Sequence, residues 1–354
     1  MTLAPFTISL AHAPLILYFA LILGLLIIIL PSITRRDYSR RALLFLFLSF
    51  LALLTTWYYM LVYFKRSYVE SALRHNVSPP NWSSRQWLQS TSLFHEAWSY
   101  VSADSKRWWW SHILCSWTAG SLTVFLLTEA RRGTVRYAWA YMLLGQVVAI
   151  SFAQGLFLVA VSLSPKRTRT ITSQPSPALA SSSILSSLTV LLTPFTVDTI
   201  YYLPNLLAMH FLLIIPLVPS FSSFHSIPIL SSLRYSSLYL VLTILSLISR
   251  MPSLQPSLLS VDSIYHTLVH QHPAQSSISF DVVFTSIIFA TWIILDQKTN
   301  VILGQKLLLF TLGAPLGVGV WGGVYLYIRE RGFESIQSHK GDTSTEARRE
   351  KRLA

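Results

Sequence analysis

The sequence predicts an all-α fold, a polytopic membrane bundle of about eight transmembrane helices. Three observations lead there. Charged residues make up 12% of the chain, about half the roughly 25% usual in soluble domains. Mean hydropathy is +0.51. Uninterrupted apolar runs recur at the length of about 20 residues that a helix needs to cross about 30 Å of hydrocarbon.

In chain order, the apolar runs place spans at about 13–30, 42–64, 109–128, 137–163, 204–221, 233–249, 281–297 and 301–327. The first lacks a basic leader and a small-x-small cleavage site, so it reads as a retained span rather than a signal peptide. Residues 65–107 are polar and aromatic, and 93–101 reads as an amphipathic helix lying in the interface. The run 137–163 is read as one long span. The segment 164–183 is a low-complexity linker rich in Ser, Thr and Pro. Pro194 and Asp198 interrupt 184–203, which reads as re-entrant or interfacial rather than as a ninth span. Pro204, Pro216 and Pro219 kink or bound the fifth span. Residues 1–328 then form one membrane domain, and 329–354 a charged tail, disordered or a frayed continuation of the last helix.

The net charge of +13 lies in short clusters beside apolar runs, such as Arg35, Arg36, Arg40 and Arg41, or Arg131, Arg132 and Arg136. That placement suits topology signals and anionic head groups, and no basic fold or motif directs it to nucleic acid. The arginine-dense loops 31–41 and 129–136 fall on one side, read as cytoplasmic. Asn76 and Asn81 head N-x-S sequons on the other side, expected to be glycosylated, which sets the N-terminus in the lumen. Lys65, Arg66 and the basic tail argue the other way. Cys115 is the only cysteine, which excludes intramolecular disulfides and cysteine-rich metal sites and leaves it as a small buried hydrophobe.

Polar groups at membrane depth are costly and mark candidate sites. Glu96 follows His95 between Phe94 and Trp98. A carboxyl in such surroundings keeps its proton and serves as an acid, or else it faces head groups or pairs with Lys106. Asp281 opens a span behind His266, His270 and His272; it is an acid at a site or a helix cap. His266 and His270, four apart, share a helix face as metal ligands do, but no clear third ligand accompanies them, and no metal or other cofactor is expected. Glu129 ends a span before Arg131 and Arg132, as a boundary ion pair or a buried acid. Asp198 lines a cavity or sits on a loop. Gln146 and Gln154 lie eight apart on one helix face, for interhelical hydrogen bonds or to orient a substrate. The Trp108, Trp109 and Trp110 run reads as an aromatic belt. Trp98, Trp110, Trp117 and Trp292 would also offer ring faces to a cation, each worth about 0.5–2 kcal/mol. The chain has no DDxxD, Walker, GxSxG, di-iron histidine or HExxH pattern, which removes support for those routes of prenyl transfer, ATP use, hydrolysis and desaturation.

LFHEAW, the WWWS boundary, TEARRG, YMLLGQVVAISFAQGLF and HPAQSSISFD, over about residues 90–160 and 265–325, resemble a fungal group containing the membrane-bound terpene cyclases of meroterpenoid pathways of the ascofuranone and macrophorin type. The resemblance implies an endoplasmic-reticulum enzyme that cyclises a farnesyl-type chain, often on an aromatic head and sometimes carrying a terminal epoxide. Diphosphate loss and metal are not involved, and a pathway prenyltransferase or epoxidase is the expected partner. Chemistry then assigns the donor to Glu96 or Asp281, with His95, Glu129 and Asp198 as further candidates. The alternatives are a transporter or receptor for a small hydrophobic molecule, with Glu129, Asp198 and Asp281 along its path, and a non-catalytic scaffold.

Overall fold

A computed structural model describes residues 10–34, 37–165, 174–218, 233–251, 261–299 and 301–353. Among these the regular elements are all helical. They are α1 (Ala13–Ile33), α2 (Arg40–Arg74), α3 (Ser84–Ser90), α4 (Leu93–Ser102), α5 (Ser105–Gly133), α6 (Ala138–Val147), α7 (Ile150–Leu163), α8 (Pro177–Thr196), α9 (Tyr202–Ile214), α10 (Tyr235–Arg250), α11 (Val261–Tyr265), α12 (Pro273–Leu295), α13 (Leu303–Gly313) and α14 (Val318–Leu353). Five of the described helices, α1, α2, α5, α8 and α12, are long and apolar enough to cross a membrane.

The starts of these helices are written locally. Ser39, Asp104 and Ser176 accept the backbone N–H groups of Ala42, Arg107 and Leu179, each removing a donor that a helix start leaves unpaired. Ser83 and Gln86 form a reciprocal capping box at α3. The outer helices α1 and α2 turn Leu17, Leu23, Ile27, Phe47 and Leu54 outward, which is the surface that lipid covers. α5 is the central helix and is buried along its apolar length. It widens into a π turn at Thr118–Leu122. Glycines let α14 press against its neighbours: a Cβ on Gly323 would collide with Thr243 Oγ1, and one on Gly319 would lie 2.8 Å from Ser116 Oγ. Small residues at crossings do this in membranes, where dispersion rather than water exclusion drives association.

Three expectations are corrected. The run 137–163 is a re-entrant hairpin instead of one span. Its two helices meet at Val148 and Ala149, and Ser164 returns beside Gly133, where an added Cβ would sit 3.5 Å from the Ser164 Cβ. Gly145 lets the arms close, since a Cβ there would come within 2.9 Å of Ile150. The segment taken as re-entrant, 184–203, is instead mostly α8, a helix of membrane length; Pro194 falls in its last turn, so the bond that it removes lies where the helix is already ending. The final span 301–327 is two antiparallel helices, α13 and α14. They turn at Pro315 and at Gly317, whose φ of +82° sits against Ile113 and favours glycine. The α14 backbone continues helical to Leu353, through the stretch read as a charged tail. The linker expected at 164–183 falls partly outside the described residues, and from Pro177 it is instead the first turns of α8; the end of the span expected at 204–221 also falls outside them.

At the end of the bundle reached by the C-terminal halves of α5 and α12, charged side chains are buried together. Arg329 donates to Glu129 (2.9 Å), Asp296 (2.7 Å) and Glu330 (3.4 Å). Arg132 donates to Glu129 (2.8 Å) and twice to Glu330. Lys306 Nζ caps the end of α12 through the carbonyls of Ile293 and Asp296. Removing one partner of such a buried network leaves uncompensated charge, at a cost of about 3–5 kcal/mol. Arg329→Met is therefore expected to lower stability by about that amount, read as a fall in the denaturation midpoint in micelles. Arg331→Met, on the exposed face, should leave the midpoint unchanged.

Candidate functional site

The other end of the bundle holds a cavity of about 710 Å³, roofed by α3 and α4 and walled by α1, α2, α5, α9 and α12, with the hairpin tip projecting into it. Its wall is mainly apolar and aromatic, with Phe64, Phe94, Trp98, Leu114, Met209 and Ile278 among the contributors. Cys115 and Thr118 face it from the last turns of α5 before and into the π segment.

Asp281 lies at the inner wall. It is buried, and its carboxylate accepts the N–H of Ile150 (3.0 Å) and of Ser151 (2.7 Å). These are the first donors of α7, which starts from an extended Ala149 with no side-chain cap of its own. Asp281 thus caps α7 from a different helix, and the positive end of the α7 dipole meets a carboxylate. Two further side chains of the cavity wall hold the tip. Tyr18 donates its hydroxyl to the Val147 carbonyl, and Gln146 Nε2 donates to the His210 carbonyl at 3.3 Å. An irregular backbone turn at membrane depth survives where protein groups satisfy it, as they do here.

The structure brings together Asp281, His95, Trp98 and Gln146, which all line this cavity, His95 from its exposed rim. The remaining expected residues stand apart from the cavity lining. Glu96 Oε1 accepts the Ser92 N–H (3.1 Å), closing the first turn of its own helix. Glu129 belongs to the ion network at the far end. Asp198 is exposed in the turn after α8, with φ +64°. Trp110 donates to the Ser279 carbonyl. Trp117 donates to Gln154 Oε1 (2.9 Å), whose amide passes on to the Thr285 carbonyl (3.1 Å); this is an interhelical relay in the core. Trp292 stacks on Phe289 beneath the Arg329 guanidinium. His266 and His270 share a π-helical turn with ring centroids 6.3 Å apart, and no third His, Cys, Asp or Glu joins them among the described residues. His272 is instead the N-cap of α12, stacked on Tyr100 at 3.8 Å. Burial, with Arg66 and Arg107 nearby, holds its imidazole down to about 4. Asn76 and Asn81 are exposed at the cavity end of the bundle.

Sequence reasoning passed over Tyr18, Tyr63 and His210. His210 carried a signal, a lone histidine in the apolar run of α9; tyrosines near span ends look like belt residues and carried none.

Residues 235–331 match the family described as protein of unknown function DUF2834. The match takes in Asp281 together with Asp296, Lys306, Arg329 and Glu330. No curated protein matches the chain, and no solved structure does.

Removing the cap tests the role of Asp281 at the tip. Asp281→Ala is expected to speed amide exchange selectively in a peptide spanning 145–155 and to cost about 0.5–2 kcal/mol, the range for losing a helix cap. Unchanged exchange there would show that the tip holds without Asp281.

Proposed function

We propose that the chain is an intramembrane terpene cyclase, acting on a farnesyl-type chain within the cavity and using Asp281 as its acid. The observation that carries this reading is an apolar, aromatic-lined space of about 710 Å³ in which Asp281 is the one carboxyl side chain among the described lining residues. A substrate of this class enters from the bilayer, where it partitions. A terminal epoxide takes the carboxyl proton on an oxygen lone pair while its C–O bonding pair moves onto oxygen, or a terminal olefin takes it with its π pair. The carbon left electron-deficient is attacked by the next double bond, closing a ring, and a final C–H proton returns to the carboxylate. Atoms balance, and the product is an isomer of the substrate. The two N–H groups on Asp281 fix the carboxyl while each oxygen retains a further lone pair. Tyr63, Phe94 and Trp98 offer ring faces to the passing cation. The wall holds the chain folded near its reactive shape.

We place this activity in the endoplasmic reticulum membrane, with the cavity end and the sequons lumenal and the arginine-rich loops cytoplasmic. A prenyltransferase or epoxidase supplies the substrate.

One observation favours a second reading. The re-entrant hairpin, with a half-helix start facing a cavity, is an arrangement that transporters use at their substrate sites. Uptake of a small hydrophobic molecule into vesicles, without change in its mass or shape, would support passage instead of chemistry.

Farnesylated phenols with and without a terminal epoxide, supplied to microsomes holding the chain, are expected to yield a cyclised product of unchanged mass, identified by NMR. Asp281→Asn should lower the rate by about 10²-fold or more, the scale of a lost general acid, with its melting curve checked alongside. Glu96→Gln should keep most activity. Unchanged substrate from folded protein overturns the reading. For the orientation, endoglycosidase is expected to shift the wild-type band and to leave the Asn76→Gln, Asn81→Gln double variant unmoved.

A further inference from the structure

The polar groups of the cavity are unevenly spent. The hydroxyls of Tyr18, Thr56, Tyr63, Thr91, Thr118 and Ser277 each donate to a backbone carbonyl. A hydroxyl has a single proton and two lone pairs, so these groups keep only acceptor capacity for anything that enters. Gln146 Oε1 adds an acceptor, and so do the Asp281 oxygens beyond the proton that the proposed reaction places on them. The donors left over are few: the Asp281 proton on that reading, the second amide hydrogen of Gln146, the weak Cys115 thiol, and groups at the exposed rim such as Ser92 and His95.

His210 is the best-placed of the acceptors. Its Nδ1 lies 2.7 Å from the Leu206 carbonyl oxygen. A carbonyl can only accept, so Nδ1 carries the hydrogen, and in the neutral ring Nε2 holds the lone pair. The ring plane is fixed by edge-on contacts with Phe94 (6.0 Å) and Trp98 (5.9 Å). Its backbone is fixed by Gln146 from the hairpin. Nε2 takes no partner among the described residues, and the side chain belongs to the cavity wall among Met209, Leu213 and Leu203.

We propose that His210 is a specificity-determining residue: its Nε2 accepts the hydroxyl proton of the ligand, so that the cavity selects hydrophobic molecules with a hydrogen-bond-donating head over those whose head only accepts. This rests on the reading of the cavity as a site for farnesyl-type molecules, and it does not depend on any reaction there. His210 is half-buried on the cavity wall, so a ligand that fills the space cuts its lone pair off from water; the lone pair then goes unsatisfied under an ether and is satisfied by an alcohol. Discrimination of this kind is sharp because the loss falls on the protein group as well as on the ligand.

The test uses the full chain in lipid nanodiscs, titrated with farnesol and with farnesyl methyl ether. Binding is followed by tryptophan fluorescence and corrected for partition into protein-free nanodiscs. Farnesol is expected to bind about tenfold more tightly than the ether, the equivalent of about 1.4 kcal/mol. In His210→Phe the two affinities should converge while that of the ether stays as in the wild type, which also reports an intact cavity. His210→Gln, which keeps an acceptor, should restore part of the preference. Equal binding of the two probes by the wild type, or a preference that survives in His210→Phe, overturns the role of His210 and leaves the cavity reading standing. If neither probe binds, the cavity reading falls and this inference with it.

Discussion

The bundle depends on a carboxylate that belongs to one helix and completes another. In hydrocarbon a backbone N–H without a partner costs several kcal/mol, so a chain that turns back at membrane depth needs groups supplied from elsewhere. Asp281 supplies them to α7, with the Tyr18 hydroxyl and the Gln146 amide bracing the same tip. Because α6 and α7 return to the end from which they came, the space that a full span would have filled beyond the tip is open. The cavity is that space, and the residue that holds the tip is also its carboxyl side chain.

The two ends of the molecule divide the work. At one end, arginines 132 and 329 tie α5, α12 and α14 together through Glu129, Asp296 and Glu330 with no described cavity among them. Desolvation of these charges offsets most of their attraction, so the net contribution of the intact network is small although the loss of one member is costly. The network closes the bundle below the hairpin. At the other end, short helices α3 and α4 roof the cavity, and the contacts are aromatic: Tyr63 lies near His272, Tyr100 stacks on His272, and Phe94 and Trp98 flank His210. One end is closed by ions, and the other is hollow and apolar.

The same division explains which site residues were legible from sequence. Asp281, His95, Trp98 and Gln146 stood out because polar or aromatic groups in apolar runs stand out, and they meet at the cavity. Glu129 and Trp292 stood out on the same grounds and belong elsewhere, because a buried acid beside arginines and a tryptophan beside phenylalanines satisfy one another in the core. Composition cannot distinguish a polar group awaiting a ligand from one already partnered. Tyr18 and His210 reach the hairpin tip only through contacts 129 and 64 residues away along the chain.

What the sequence determined by itself is the helical class and the membrane setting, because hydropathy acts over a few neighbouring residues. It could not tell that 137–163 turns back, since Val147, Val148 and Ile150 are as apolar as any span and the nearest glycine, Gly145, lies inside α6 rather than at the turn. Nor could it tell that α13 and α14 are two helices packed side by side, although Pro315 and Gly317 stood at the point of division. Those choices fell to the tertiary structure. The cap that makes the hairpin tip tolerable comes from Asp281, 131 residues from Ile150, and only the packed bundle brings them within hydrogen-bonding distance.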